Sequence, residues 1–196
     1  MAPKGVPQGG ASTSTRPRDI SEEMSTRGIE KTQNKMREIK IEKVVLSVGG
    51  IGDELEKGYK LLEFLTNKKP AKMKSQKRIP AFNIRPGLEV GAVVTLRKEA
   101  VEFLKRMLVT VDHVLKKKQV SMNNFSFGIK EYIEIPGVEY QRDIGIKGFD
   151  VTVVFKRAGK RIRLKKIKKG KIPSRQMIQP EEIIKFMEAN FEVKFE

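Results

Sequence analysis

The chain has 196 residues, enough for one domain with a full hydrophobic core and an extension. Its 41 lysines and arginines against 24 aspartates and glutamates give a formal charge of +17, so a polyanion is the expected partner. It has no long apolar run and no apolar signal-peptide core, and the lack of cysteine excludes disulfides and thiolate metal sites. These features predict a cytosolic protein that binds nucleic acid rather than a membrane.

The first 35 residues differ in composition from the rest of the chain. They are rich in Gly, Pro, Ser and Thr and contain few side chains that a core could bury. We therefore predict a flexible, basic N-terminal extension over residues 1–35 and a single α+β domain over residues 36–196.

The domain begins with signals for a strand and a helix. Alternating apolar and charged residues over 39–48 predict a strand with one buried face. A glycine-rich turn follows, and we predict a helix with Asp53 as its N-cap and an end at Asn67. Residues 68–88 contain prolines and many cations and predict a long basic loop between short strands. The segment "EVGAVVTLR" predicts the next strand.

The second half of the domain also contains signals for both helices and strands. An apolar stripe predicts a long helix over 99–116, with the single histidine, His113, off that stripe. "FSFGIKEYIEI" and "GFDVTVVFKR" predict strands, joined by a connection from Pro136 to Gly148. Pro180 at a first helical position predicts a short C-terminal helix. This order indicates an α+β fold, a ferredoxin-like variant with an antiparallel or mixed sheet and helices packed on one face.

The glycine turn could be the start of a nucleotide-binding loop. Gly50-Ile51-Gly52 matches the first half of G-x-G-x-x-G, but Leu55 stands where the third glycine belongs, and no Walker motif is present. We interpret the turn as a tight strand-to-helix connection whose backbone approaches an RNA phosphate. The sequence shows no nucleophile–base pair and no metal-ligand set, so we predict neither an enzyme nor a cofactor.

Two stretches of cations lack acidic residues. One is the basic loop, residues 68–88, and the other is the basic segment, residues 156–175, which holds eleven lysines and arginines. A solvated surface normally mixes both signs of charge, so these runs favour contact with phosphates. The Phe125 and Phe127 strand lacks the signature of an aromatic single-strand platform, which favours a folded RNA read by shape.

Three segments together resemble one known family. They are "MREIKIEKVVLSVGG", "LLEFLTNKKPAKMKSQKRIPAFNIRPGLEVGAVVTLR" and "FSFGIKEYIEIPGVEYQRDIGIKGFDVTVVF". In order, they resemble the large ribosomal subunit protein five family, the universal 5S rRNA-binding family, in its archaeal type. The resemblance covers residues 36–191 and implies a structural ribosomal protein. The alternatives are a general nucleic-acid-binding module or RNA chaperone and, third, a nucleotide-dependent enzyme.

The resemblance implies a place in the central protuberance of the large subunit. There the family binds 5S rRNA and large-subunit rRNA beside ribosomal protein eighteen of the same subunit. In the family, the sheet face that meets 5S rRNA carries polar residues. The matching positions here are Ser47, Lys68, Thr95 and Arg97.

The resemblance also implies contacts outside the 5S rRNA. The basic loop matches the family loop that touches the elbow of the P-site tRNA, with Lys74, Lys77, Arg78 and Phe82 as the expected contact residues.

Two further regions receive expected partners from the same resemblance. The Pro136–Gly148 connection matches the region that faces ribosomal protein thirteen of the small subunit, where Glu134, Glu139 and Asp143 are the expected intersubunit contacts. The basic segment is expected to lie against large-subunit rRNA. Its expected contact residues are Lys160, Arg161, Arg163, Lys165, Lys166, Lys168, Lys169, Lys171 and Arg175.

Overall fold

The computed structural model describes residues 35–196, so all but the last residue of the predicted N-terminal extension lies outside the described residues. The α-helices within this range are Asp53–Thr66 (α1), Ala100–Thr110 (α2), Arg161–Leu164 (α3) and Pro180–Phe191 (α4). The β-strands within it are Lys40–Gly49 (β1), Ala71–Lys74 (β2), Glu89–Leu96 (β3), Val114–Leu115 (β4), Val120–Ser121 (β5), Asn124–Ile129 (β6), Phe149–Lys156 (β7) and Lys194–Phe195 (β8).

Six of the strands in the described residues form one antiparallel sheet in the order β2-β3-β1-β7-β6-β5. Strand β1 is central and pairs with β3 on one side and β7 on the other. Strands β1 and β2 are connected by α1 and separated by β3, the split βαβ arrangement of ferredoxin-like folds. The predicted α+β fold with an antiparallel sheet is confirmed.

One face of the sheet forms the core. Alternate residues of the strands point to the same side, because side chains along a strand alternate between faces. Leu46 of β1, for example, is paired with Val94 of β3 and Val151 of β7, and all three are buried. Helices α1 and α2 contact β1. The α4 ring of Phe186 packs edge-on against Phe155 of β7, with 5.7 Å between the ring centroids. The long helices therefore cover this face.

The second helix is shorter than predicted. It ends at Thr110 instead of 116, and Asp112 and His113 then adopt left-handed backbone angles, with φ of 52° and 57°. The following strand β4 pairs in parallel with the C-terminal strand β8. The apolar stripe that predicted a longer helix therefore belongs in part to a strand. Pairing with a distant segment outweighed local periodicity.

The correction also changes the position of the single histidine. His113 lies in the turn after α2, where its Nδ1 is 3.1 Å from the carbonyl oxygen of Phe191. Its backbone carbonyl accepts a hydrogen bond of 2.8 Å from the N–H of Lys194. This residue therefore helps to attach the C-terminus to the end of α2.

The glycine turn begins α1 without a side-chain cap. The N-cap is Gly52, one residue before the predicted Asp53, and its carbonyl accepts hydrogen bonds from the N–H groups of Leu55 and Glu56. Gly52 has a φ of 59°, which residues with a side chain rarely adopt. Further along α1, a β-carbon at Gly58 would lie 2.5 Å from Cγ1 of Val48, so this glycine allows the helix to approach the sheet closely.

Candidate nucleic-acid interface

The sheet face opposite the core carries two of the residues predicted to bind 5S rRNA. Ser47 on β1 is paired with Val93 of β3, and Thr95 on β3 is paired with Val45 of β1. Both hydroxyl residues are half-buried and point away from the helices, because their neighbours along each strand are the buried core residues. The structure thus brings Ser47 and Thr95 together as diagonal neighbours on one sheet surface, which the helices of residues 35–196 leave open.

Two further hydroxyl residues extend this surface and were missed in the sequence. One row of paired residues crosses four adjacent strands and consists of Thr95, Val45, Thr152 of β7 and Ser126 of β6. A hydroxyl group both donates and accepts hydrogen bonds, which suits contact with phosphate and ribose oxygens. The alternation in "GFDVTVVFKR" placed Thr152 on the solvent side of its strand, but only the strand order shows that it lies in line with Thr95.

The other two predicted 5S rRNA contacts lie at one end of this surface. The Nζ of Lys68 is 3.3 Å from Oε2 of Glu99, which places Lys68 beside the turn between β3 and α2. Arg97 is exposed in the same turn. An ion pair this exposed is worth about 0–1 kcal/mol, so a phosphate can replace the carboxylate of Glu99 at little cost.

The basic loop is a hydrogen-bonded hairpin rather than a structureless finger. The N–H of Gly87 donates to the carbonyl of Ser75 at 2.8 Å, and the N–H of Ser75 donates to the carbonyl of Leu88 at 2.8 Å. Nearer the tip, Ile79 and Ile84 form an antiparallel bridge. These bonds give the loop a defined fold, and Phe82 and Ile84 near its tip line a cavity with Gly49 and Asp53.

The loop carries its predicted contact residues on the outside. Lys74, Lys77 and Arg78 are exposed, and within residues 35–196 none of them pairs with a carboxylate. Phe82 lies in a short 3₁₀ turn at the tip and is 67% exposed. Cations without carboxylate partners and an exposed ring are groups that can hold a nucleic-acid backbone and a base.

The basic segment is almost wholly exposed at its centre. Every residue from Arg161 to Lys169 is exposed, and this stretch includes the short helix α3. Of the nine contact cations predicted here, Lys160 is the one that has a carboxylate partner, Glu42, within the described residues. The remaining cations face solvent and can reach phosphates.

A buried arginine joins the two ends of the basic segment. The Arg157 side chain is 4% exposed, and its Nη2 is 2.7 Å from Oε2 of Glu182. Its Nη1 donates to the carbonyls of Arg175, at 3.3 Å, and Met177, at 3.5 Å. In the sequence Arg157 was only one cation among many, because nothing local marks which arginine of a run is buried.

The predicted intersubunit residues lie on a well-anchored connection. The Tyr132 side chain is buried, and its hydroxyl oxygen accepts a hydrogen bond of 2.9 Å from the N–H of Gln141. Glu134, Glu139 and Asp143 are all exposed. The connection therefore presents three carboxylates to solvent from a fixed base.

The described residues contain neither a membrane-spanning helix nor a metal-binding cluster. No helix within residues 35–196 combines the length and apolar character needed to cross a bilayer. The same residues hold no group of three or more histidine or carboxylate side chains placed to bind a metal ion.

Comparison with known proteins identifies the family. Residues 34–85 match the model of ribosomal protein L5, and residues 89–189 match the model of the C-terminus of the same ribosomal protein family. The large ribosomal subunit protein uL5 of Picrophilus torridus is 43% identical over 171 residues, covering 85% of this chain and 97% of that protein. Its counterpart in Nanoarchaeum equitans is 42% identical, covering 83% of this chain and 98% of that protein.

A third relative, the large ribosomal subunit protein uL5 of Sulfolobus acidocaldarius, is 42% identical over 167 residues and is matched over 94% of its length. The two family models together span almost the whole of the fold described above. This confirms the resemblance seen in the sequence and rules out the nucleotide-dependent enzyme. The chain therefore belongs to the ribosomal protein L5 family, whose members are structural proteins of the large ribosomal subunit and not enzymes.

Proposed function

We propose that this chain binds 5S rRNA and large-subunit rRNA in the central protuberance of the large subunit, beside ribosomal protein eighteen. One observation carries the proposal: the sheet has an open, hydroxyl-bearing face with an acid-free cationic element at each end. Hydroxyls position the ribose and phosphate oxygens, while the cations neutralise the backbone and release counterions. A folded RNA supplies both kinds of group over a surface of this size.

The tip of the basic loop, residues 75–88, and the basic segment lie at opposite ends of the sheet. The loop tip continues from the end where β1 finishes, because Gly49 is paired with Gly91, close to the start of β3. The basic segment leaves from the other end, because Lys40 at the start of β1 is paired with Lys156. A strand of this length separates them by about 30 Å. The two elements therefore suit two different RNA contacts made at the same time.

The preference for 5S rRNA is tested by filter binding against a control RNA of the same length. We expect at least about tenfold tighter binding to 5S rRNA, with the logarithm of affinity falling linearly as the logarithm of salt concentration rises. Purified protein and deproteinised RNA are sufficient for the measurement. Equal affinity for 5S rRNA, the control RNA and duplex DNA would instead favour a general nucleic-acid-binding module or RNA chaperone.

The basic loop is proposed to contact the elbow of the P-site tRNA. A hydrogen-bonded hairpin that carries unpaired cations can hold a backbone without reading its sequence, as a site visited by every tRNA requires. Phe82 at the tip adds a ring that can stack on an exposed base.

Replacing Lys74, Lys77 and Arg78 together with alanine is expected to weaken tRNA binding about tenfold or more. The slope of log affinity against log salt should become shallower by about 2, because three phosphate contacts are lost. Binding to 5S rRNA should remain unchanged, since the three residues lie at the end of the edge strand β2 and in the loop tip, away from Ser47 and Thr95.

A matched control removes three exposed lysines from the helical side and the C-terminus, Lys105, Lys185 and Lys194. This control has the same net charge as the loop variant and should keep normal tRNA binding. Parallel loss of tRNA and 5S rRNA binding in the loop variant would contradict the assignment of the two surfaces.

The three exposed carboxylates of the Pro136–Gly148 region are proposed to contact ribosomal protein thirteen of the small subunit. They are exposed carboxylates on a chain of strong positive charge, and exposed carboxylates favour a basic protein over RNA as the partner. The anchored connection holds Glu134, Glu139 and Asp143 in place for a contact between subunits.

A further inference from the structure

The basic segment contains exposed aliphatic side chains as well as cations. Ile162 is 48% exposed, Leu164 is 68% exposed and Ile167 is 80% exposed. Single exposed aliphatic residues are common on protein surfaces and need no explanation. Three of them within six residues, interleaved with lysines and arginines, are a local concentration that phosphate contacts alone do not require.

These side chains are held by a folded turn. The N–H of Ile162 donates to the carbonyl of Gly159 at 3.2 Å, and the N–H of Gly170 donates to the carbonyl of Ile162 at 3.3 Å. The chain therefore folds back on α3 and closes a compact loop. Arg157 fixes the base of this loop, because it donates hydrogen bonds to the backbone carbonyls of Arg175 and Met177. Leu164 and Ile167 consequently project from a structure with a defined shape.

Another aliphatic residue of the same segment is partly buried against the body of the protein. Ile172 is half-buried and lines a small cavity with Phe155 and Met177. Leu164 and Ile167 have no such cover within residues 35–196. The difference within one segment indicates that the two exposed residues face a partner rather than this chain's own core.

The charge around these residues indicates the kind of partner. The residues from 158 to 175 include nine lysines and arginines and no acid, and eight of the nine have no carboxylate partner among the described residues. An uncompensated run of cations this dense favours a phosphate backbone as the partner. An RNA has one phosphate per nucleotide and also exposes the apolar faces of riboses and unstacked bases.

We propose that Leu164 and Ile167 pack against a ribose or an unstacked base of large-subunit rRNA while the neighbouring lysines hold the phosphates. This inference rests on the proposed rRNA contact of the basic segment and adds a part of that contact that salt does not screen. Apolar burial is insensitive to counterions, whereas each phosphate contact contributes to the salt dependence. The two kinds of contact can therefore be separated by measurement.

The test compares two double variants by titration with deproteinised large-subunit rRNA at several salt concentrations. L164S/I167S is expected to bind about tenfold more weakly at every salt concentration, with an unchanged slope. K166A/K169A is expected to give a slope shallower by about 1.5. Thermal unfolding of both variants should match that of the unchanged protein, because all four side chains are exposed.

Each result of these titration and unfolding experiments either supports or overturns the proposed packing of Leu164 and Ile167 against rRNA. Unchanged affinity of L164S/I167S at every salt concentration would overturn the inference, and loss of a protein crosslink in large subunits carrying that variant would then identify a protein partner. A lower melting temperature would also overturn it, because the side chains would already be buried within this chain. If the unchanged protein showed no salt-sensitive rRNA binding, the proposed function itself would fail.

Discussion

Replacing Ser47 and Thr95 together with glutamate is expected to lower the affinity for 5S rRNA at least about 100-fold. Both residues lie on the open face of the sheet, diagonally adjacent on paired strands. Two carboxylates there would face the RNA backbone, and like charges brought together at an interface cost several kcal/mol. Filter binding with labelled 5S rRNA measures the loss, where each tenfold change corresponds to about 1.4 kcal/mol.

The matched control for this variant places two negative charges on the opposite side of the molecule. Val101 and Val109 lie on α2, on the helical side of the sheet, and are 44% and 50% exposed. Replacing both with glutamate should keep normal affinity for 5S rRNA. Replacing Ser47 and Thr95 with alanine should reduce affinity only a few fold, because small side chains still admit the RNA. Normal binding after Ser47 and Thr95 are both replaced with glutamate would exclude the open face as the 5S rRNA site.

The same experiment can locate the edge of the interface. Thr152 stands in the row that begins with Thr95, two strands away. Thr152→Glu is expected to weaken 5S rRNA binding if the RNA crosses β7, whereas an RNA confined to β1 and β3 would leave this variant unaffected. The row across four strands, with hydroxyls on three of them, supports the wider footprint.

Replacing Arg157 with methionine is expected to destabilise the protein by about 3 kcal/mol. The substitution removes the partner of Glu182 and leaves the carbonyls of Arg175 and Met177 without a donor. The cost comes from the two carbonyls that lose a charged donor and from Glu182, which loses its cationic partner and keeps only the hydrogen bond from the N–H of Gln179. Glu182 is itself partly exposed, so the loss falls at the lower end of the range for such pairs. Urea-induced unfolding measures it.

The neighbouring residue provides a control of equal charge. Lys156 is exposed, so Lys156→Met removes one positive charge without breaking a buried contact and should leave stability unchanged. We also expect Arg157→Met to weaken large-subunit rRNA binding more than Lys156→Met does, because the base of the basic segment is released. Equal stability of the two variants would show that the buried arginine does not hold the segment in place.

Much of the site was predictable because it depends on local features of the chain. The solvent-facing positions of Ser47 and Thr95 follow from alternation within their own strands. The cationic character of the basic loop and of the basic segment follows from composition alone. The orientation of these two side chains and the charge of these two stretches do not depend on which strands become neighbours. They could therefore be predicted before the fold was known. Their roles in RNA binding stay predictions that the experiments above test.

Other features could not be read from local patterns. The apolar stripe after Thr110 fits a helix as well as it fits a short strand, and pairing of β4 with the distant C-terminus decides the outcome. Likewise, the row from Thr95 to Ser126 exists only because β1 and β7 lie between β3 and β6 in the sheet. Burial of Arg157 depends on the position of Glu182 on α4, 25 residues away.

The amino-acid sequence by itself determined most strand and helix types, the two acid-free cationic stretches and the family to which the chain belongs. These properties reside in periodicity, charge and residue identity along short pieces of chain. The tertiary structure alone decided that the tip of the basic loop and the basic segment lie at opposite ends of one sheet, that the hydroxyl residues align in one row across its strands and that one arginine closes the basic segment. Each of these depends on contacts between residues far apart in the chain, and only the packing of the whole core sets such contacts.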